Sequence, residues 1–245
     1  MCDTKTELFK VMYSCRAMRR FRPDPVPEDV LLRLVEAATR APSTGNGQNW
    51  RFVIVRDRDV IARMAEPWRR GNAFLTETAM AMPARPGEDI DQRKRTLRAA
   101  TYLAQHLTEV PALICVCVQH DRVAEKAARN GATLRAGLRH LGLIALLRLA
   151  RRARTNTEQE LWATAYPAVQ NLLLAARAME LGATLTMPLV LAPRGTYEKI
   201  LGLPRGTLLA AVIPVGYPQG RFGPVNRLPV EKFVSWDRYE EPALG

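Results

Sequence analysis

The stretch Pro42-Ser43-Thr44-Gly45-Asn46-Gly47-Gln48-Asn49-Trp50 constrains this chain more than any other. It separates a helical pattern from the apolar run Phe52-Val53-Ile54-Val55. Upstream, Val30, Leu31, Leu34, Val35 and Ala38 recur at helical spacing behind Pro27, Glu28 and Asp29, which suit a first helical turn. A turn this rich in Ser, Thr, Gly, Asn and Gln cannot enter a core. Its glycines let backbone approach a ligand closely. Asn46 and Gln48 both donate and accept, which matches a ring edge carrying carbonyl and N–H groups. An ordinary helix-to-strand connection uses the same residue types, so the turn alone leaves both readings open.

A second feature lies upstream. Arg16, Arg19, Arg20 and Arg22 fall within seven positions, enough for an anion site built from planar guanidinium forks. Phe21 sits among them and is expected to anchor the segment in the core. Pro23, Pro25 and Pro27 then force an extended chain.

These two motifs, in this order and spacing, resemble the FMN-dependent nitroreductase family. The family pattern of Arg-Arg-Ser-x-Arg-x-Phe appears here as Cys15-Arg16-Ala17-Met18-Arg19-Arg20-Phe21. Cys15 replaces a first arginine and Ala17 a phosphate-holding serine. The Pro-Ser-x-x-Asn-x-Gln-Pro-Trp pattern appears as Pro42 to Trp50, with Asn49 in place of proline. Leu181-Gly182-Ala183-Thr184-Leu185-Thr186-Met187-Pro188 is similar to a third family segment, and Arg227 occupies the place of a second-half phosphate arginine. The likeness covers roughly residues 8–120 and 163–240.

The resemblance implies an α+β fold: a mixed or antiparallel central sheet flanked by helices, in an intertwined homodimer. The aromatic end Glu231–Tyr239 would embrace the partner. It implies FMN, with NADH or NADPH as electron donor and a nitroaromatic, quinone or similar small acceptor, in a ping-pong cycle. FMN-binding residues would be Arg16, Ala17, Arg19, Pro42, Ser43, Thr44, Asn46, Gln48, Thr186, Met187, Pro188 and Arg227. Tyr102, His106 and Phe74 are candidates for the substrate, and residues 66–90 for a mobile cover. The flavin would carry the redox chemistry, so no catalytic side chain is expected. Two alternatives stand beside this: a biosynthetic flavin oxidase or dehydrogenase acting on a bulky substrate without nicotinamide, and a non-catalytic flavin-binding or storage protein.

Length and composition add bounds. The chain has 245 residues, 47% of them hydrophobic, enough for one sizeable core, and a single domain is expected over 1–245. Cys115 and Cys117 alternate within an apolar run, so they share one strand face and suit packing better than a disulfide. No Cys/His spacing reads as a metal site. Free thiols and the absence of an export signal favour the cytoplasm. Arginines near Cys15 raise the possibility of a reactive thiolate.

The formal charge is +12, of which +7 falls in residues 121–154. This stretch belongs to a basic helical insertion expected at about 121–160, rich in leucine. Three readings remain: a lid or wall over the pocket, a peripheral membrane contact with anionic lipid, and a helical excursion with a solvated basic face. The membrane reading is not the favoured one. No nucleic-acid partner is expected, because the segment lacks aromatic stacking platforms before Trp162. Helices are predicted near 5–20, 27–40, 58–65, 91–108, 123–152, 160–180 and 194–201. Strands are predicted near 51–56, 112–119, 183–187 and 209–216, with a last extended segment near 230–236.

Overall fold

The structure, a computed structural model, describes residues 7–84, 88–119, 130–187, 192–193 and 195–239, without the side chains of 149–150 and 152–158. The described strands are β1 (Trp50–Val55), β2 (Ala112–Gln119), β3 (Gly182–Ala183) and β4 (Thr207–Gly216). They form one antiparallel sheet in the order β1-β2-β4-β3. The described helices are α1 (Glu7–Ser14), α2 (Glu28–Ala38), α3 (Arg58–Ala81), α4 (Ile90–Gln105), α5 (Gly131–Ala178) and α6 (Thr196–Ile200).

Apart from Gln119 at the end of β2 and Thr207 at the start of β4, the central strands are apolar because both sheet faces are covered. Ile114, Val116, Ala211 and Ile213 pack with Leu31 and Leu34 of α2 and with Ala168 and Leu172 of α5. Leu113, Cys115, Cys117 and Val212 pack on the opposite face with Ile61 and Met64 of α3 and Leu103 of α4. The paired cysteines are therefore free, buried core residues. The fold is α+β, as expected.

Several predicted boundaries move, each for a physical reason. The helix expected to reach residue 20 stops at Ser14. Beyond it the chain runs extended along the sheet: Met18 N–H donates to Ala183 O at 3.1 Å, Gln219 N–H to Arg20 O at 3.1 Å and Arg22 N–H to Tyr217 O at 2.8 Å. Phe21 forms a bridge with Pro218. Tertiary pairing overrides helix propensity here. The helix expected at 58–65 continues through Pro67 to Ala81, started by Asp57, whose carboxylate accepts from the Asp59 and Val60 N–H groups. Residues 66–81 of the expected cover are thus helical and Trp68 is buried, while 85–87 lie outside the described residues. The helices expected at 123–152 and 160–180 merge into α5, interrupted at Gly142 (φ 75°, ψ 166°). Residues 120–129 lie outside the described residues. The extended segment expected at 230–236 begins instead with a 3₁₀ turn, Val230–Phe233.

Phe21 fixes the basic segment because two glycines leave it room. A Cβ on Gly182 would lie 3.2 Å from Phe21 Cε1 and 3.0 Å from Met18 Cβ. One on Gly216 would lie 3.1 Å from Phe21 Cδ1 and 2.9 Å from Pro111 Cδ. Gly216→Ala should therefore destabilise the fold by about 1–3 kcal/mol through overpacking, and Phe21→Ala by about 3–4 kcal/mol through cavity formation. Urea unfolding measures both; unchanged midpoints would show that the segment is not locked to the core.

Candidate functional site

The polar turn after α2 is built from unusual backbone. Thr44–Asn46 forms one 3₁₀ turn, and Gly45 (φ 58°), Asn46 (φ 53°) and Gln48 (φ 46°) adopt left-handed conformations. For the two non-glycine residues this costs about 1–2 kcal/mol each, a cost retained where surrounding contacts fix the shape. Those contacts are local. Asn46 N–H donates to Ser43 O at 2.9 Å, Gly47 N–H to Thr44 O at 3.0 Å, and Gln48 N–H to Ser43 Oγ at 3.1 Å. Gln48 Nε2 donates to Asn46 Oδ1 at 3.4 Å. Pro42, Asn46 and Gln48 are exposed at the surface of the turn. Thr44 ties the turn to α5, its N–H donating to the hydroxyl of buried Thr164 at 3.3 Å.

The predicted arginines divide between two places. Arg16 is exposed, and its Nη1 lies 3.9 Å from where a Cβ on Gly223 would sit. The chain around Gly223 is held against α1: Val225 N–H donates to Tyr13 O at 2.9 Å, and Phe222 packs under the Arg177 guanidinium at 4.2 Å. Arg177 Nε in turn donates to Ser14 Oγ at 2.9 Å. Arg227 follows two residues after Val225, exposed, with Nη1 donating to Asn226 O at 2.8 Å. Opposite ends of the chain thus meet beside α1. Ala17, between them in the extended run, is exposed and offers no polar side chain.

Arg19 lies elsewhere, lining a small cleft with Phe21, Tyr102, His106, Glu109 and Val110. Burial disfavours its charged form and pulls its pKa down. Tyr102 and His106 stack at 4.0 Å with ring planes 13° apart, and the Arg20 guanidinium sits 4.1 Å from the Tyr102 ring centre. His106 Nδ1 lies 2.8 Å from Tyr102 O, a contact that requires the proton on Nδ1. The sequence candidates Tyr102 and His106 are therefore brought to Arg19. Phe74 is not among them: it points to solvent, while Asn72 and Thr76 on either side bond Thr101 of α4. Arg16, Arg19 and Arg227 have no carboxylate ion-pair partner among the described residues, whereas Arg22 pairs with Asp24 and Arg56 with Glu28.

Thr186 is more committed than its sequence suggests. Its N–H donates to Val212 O at 3.2 Å, its carbonyl accepts from Val212 N–H at 3.1 Å, and its hydroxyl donates to Val212 O at 2.6 Å. Met187 is exposed, and its sulfur accepts from Tyr166 Oη at 3.6 Å. Pro188 lies outside the described residues. The sequence reading missed Thr164 and Tyr166, which link α5 to the turn and to Met187. The available signal was two polar residues within an otherwise apolar helical stretch.

The question the sequence left open at Cys15 meets a buried setting. The residue is half-buried, its Sγ lies 3.6 Å from Leu173 O, and burial pushes its pKa up by more than Arg177 pulls it down. This setting disfavours the thiolate.

A family model described as Nitroreductase family matches residues 13–217. An NADH dehydrogenase of Thermus thermophilus is 30% identical over 239 residues, 96% of each chain. A 5,6-dimethylbenzimidazole synthase of Rhodobacter capsulatus is 31% identical over 212 residues, covering 86% of this chain and 84% of its own. Among solved structures, oxidized iodotyrosine deiodinase bound to FMN and 3-iodo-L-tyrosine shares the fold, with a TM-score of 0.63 over 95% of this chain and 100% of its own, at 21% identity. The protein belongs to the nitroreductase family and is an oxidoreductase of that family. Among the described residues, no helix is long and apolar enough to cross a membrane.

The Cys15 environment sets a pH dependence. Because burial raises its pKa, the thiolate fraction at pH 7.5 is below that of a free cysteine and increases as the pH rises. In a Cys2→Ser background, iodoacetamide labelling of Cys15 should be several-fold slower than that of free cysteine at pH 7.5 and should accelerate into the alkaline range. Fast labelling at neutral pH would contradict the buried geometry.

Proposed function

We propose that this protein is an FMN-dependent oxidoreductase that takes electrons from NADH or NADPH and passes them to a nitroaromatic, quinone or similar small organic acceptor. The observation that carries the reading is the meeting of Arg16 with the Gly223–Arg227 segment beside α1, neither arginine having a carboxylate partner among the described residues. Exposed guanidinium groups drawn from both ends of a chain fit a doubly charged phosphate, each bond being charge-assisted. The chemistry of the remaining donors fits the rest of FMN. Asn46 and Gln48, on their left-handed backbone, present amides suited to a flavin or ribityl edge. Arg19, desolvated and without a carboxylate partner, fits negative charge on the Tyr102–His106 side. Thr186 would contribute through shape, since its N–H and hydroxyl proton are already donated. When bound, FMN supplies a ring that accepts a hydride and returns electrons to a second substrate.

The name of the Thermus relative supports a nicotinamide donor. The deiodinase, which binds FMN, supports the cofactor. We further propose a homodimer in cytoplasm: Phe233, Trp236 and Tyr239 are exposed on a single chain, and a partner subunit would cover them. A second reading, a biosynthetic flavin enzyme that does not use nicotinamide, draws support from the synthase relative at comparable identity. Anaerobic titration separates the two. Bleaching of the flavin absorbance by NADH or NADPH supports the first reading, and a flavin inert to both supports the second.

The freshly purified protein should be yellow, or become so on soaking with FMN. Arg227→Ala should fold normally and lose about 1.5–3 kcal/mol of FMN affinity, the value of a hydrogen bond to a charged group, measured by fluorescence titration. Equal affinity in the variant would remove Arg227 from the site.

A further inference from the structure

Thr164 of α5 is 1% exposed in the single chain, and a partner subunit can only deepen that burial. Its hydroxyl donates to Glu160 O at 3.1 Å, the carbonyl four residues earlier in the same helix. That bond fixes the hydroxyl rotor and leaves the oxygen able to accept. The Thr44 N–H, 120 residues away in sequence, donates to it at 3.3 Å. The Thr44 hydroxyl also lies 3.5 Å from both Thr164 Oγ1 and Glu160 O. Leu161, Ala165 and Ala168 bury this part of α5 in the core, so it is a fixed reference for the turn.

The turn needs an outside acceptor because its local one is engaged elsewhere. Thr44 opens the 3₁₀ turn Thr44–Asn46, and Ser43 stands at its N-cap. The first N–H groups of a helical turn find no partner within it, and a serine at the N-cap ordinarily satisfies one with its side chain. Ser43 makes no such bond. Its Oγ accepts from the Gln48 N–H at 3.1 Å, at the far end of the turn. The entry is therefore held by Thr164 and the exit by Ser43.

We propose that Thr164 is a positioning residue for FMN binding: its buried hydroxyl caps the turn from another element, which keeps Ser43 on Gln48 and the amides of Asn46 and Gln48 in their left-handed arrangement. This rests on the FMN reading above and adds to it a residue that acts through the turn. The left-handed backbone at Asn46 and Gln48 is intrinsically unfavourable and persists only while its surroundings hold it. Without the Thr164 hydroxyl, the Thr44 N–H loses its acceptor in α5. Ser43 Oγ is then drawn back to the first turn, the Gln48 N–H is released, and the two amides relax toward ordinary backbone. The turn would have to be ordered again each time the cofactor binds, which weakens binding without removing any group that touches it.

The test combines amide hydrogen exchange, resolved to single residues, with FMN titration followed by flavin fluorescence, both on the full-length protein. Thr164→Val keeps the branched shape and removes the hydroxyl. Exchange at the Thr44 and Gln48 amides should become at least about fivefold faster, and the FMN dissociation constant should rise at least about fivefold. Thr164→Ser, which keeps the hydroxyl, should recover most of both effects. Ser43→Ala should speed exchange at Gln48 and leave Thr44 protected, a result that decides the division of labour even if Thr164→Val fails to fold. Unchanged exchange or unchanged FMN affinity in a folded Thr164→Val variant overturns the proposal, as does a serine variant no better than valine. So does Ser43→Ala exposing Thr44 as much as Gln48. A lowered unfolding midpoint with turn exchange and FMN affinity intact would assign Thr164 to packing alone and also overturns it. Wild-type protein that takes up no FMN would sink the cofactor reading and this proposal with it, whereas wild-type binding beside an indifferent Thr164→Val variant sinks the positioning role only.

Discussion

The seat of Phe21 between Gly182 and Gly216 is the constraint on which the rest of the structure rests. It converts a polar, arginine-rich run into an extended strip fixed to the sheet at β3 and the end of β4. Without it, Arg16, Arg19 and Arg20 would be flexible surface cations, and surface cations contribute little to binding because they lose entropy when held. With it, three backbone hydrogen bonds set their spacing before any ligand arrives. The glycines matter by what they omit. Any side chain at 182 or 216 would meet Phe21, Met18, Pro218 or Pro111 at a separation too short for ordinary packing.

The same strip distributes charge to two faces. Alternation along extended backbone sends neighbouring side chains opposite ways, and the structure accordingly separates Arg19 from Arg16. Arg16 stays in solvent, near the returning C-terminal segment. Arg19 turns to the α4 side, where it lines the cleft with Phe21 and loses hydration. A phosphate suits the first environment, since strong pairing with exposed guanidinium groups needs multiple charges. A more diffuse negative charge suits the second, where the low dielectric strengthens each interaction. One short segment therefore offers two kinds of anion recognition.

Elements with strong local periodicity were legible from the sequence. The amphipathic pattern behind Pro27 became α2, and the apolar runs became β1, β2 and β4 within one or two residues. The polar turn and the basic strip were legible as chemistry but not as conformation. Nothing local in Cys15–Arg20 opposes a helix; the partners that make it extended are Ala183, Tyr217 and Gln219, distant in sequence. The continuation of α3 through Pro67 was hidden for a similar reason. A proline costs about 3 kcal/mol in a helix interior, and burial of Met64, Ala65 and Trp68 around it offsets that locally unfavourable choice. Cys15 shows where local sequence leaves a question open. Neighbouring arginines in sequence suggested a lowered pKa, but depth in the fold decides the matter, and burial acts more strongly than Arg177.

Helix α5 joins these themes. Its second half is core: Ala165, Ala168, Val169, Leu172 and Ala176 are buried, and Thr164 holds the polar turn from behind. Its first half is richer in leucine, and Leu134, Leu138, Leu141, Leu143 and Leu147 are exposed there. Composition alone does not tell which half is core, because both read as leucine- and alanine-rich helix. The difference lies in Gly142. Its φ of 75° is strained for a residue bearing a side chain, so a glycine here lets the first arm leave the helix axis instead of extending it. Gly137 then admits Leu146, so the arms close on each other rather than on the sheet. A helix that turns back on itself leaves part of its apolar surface without an internal partner.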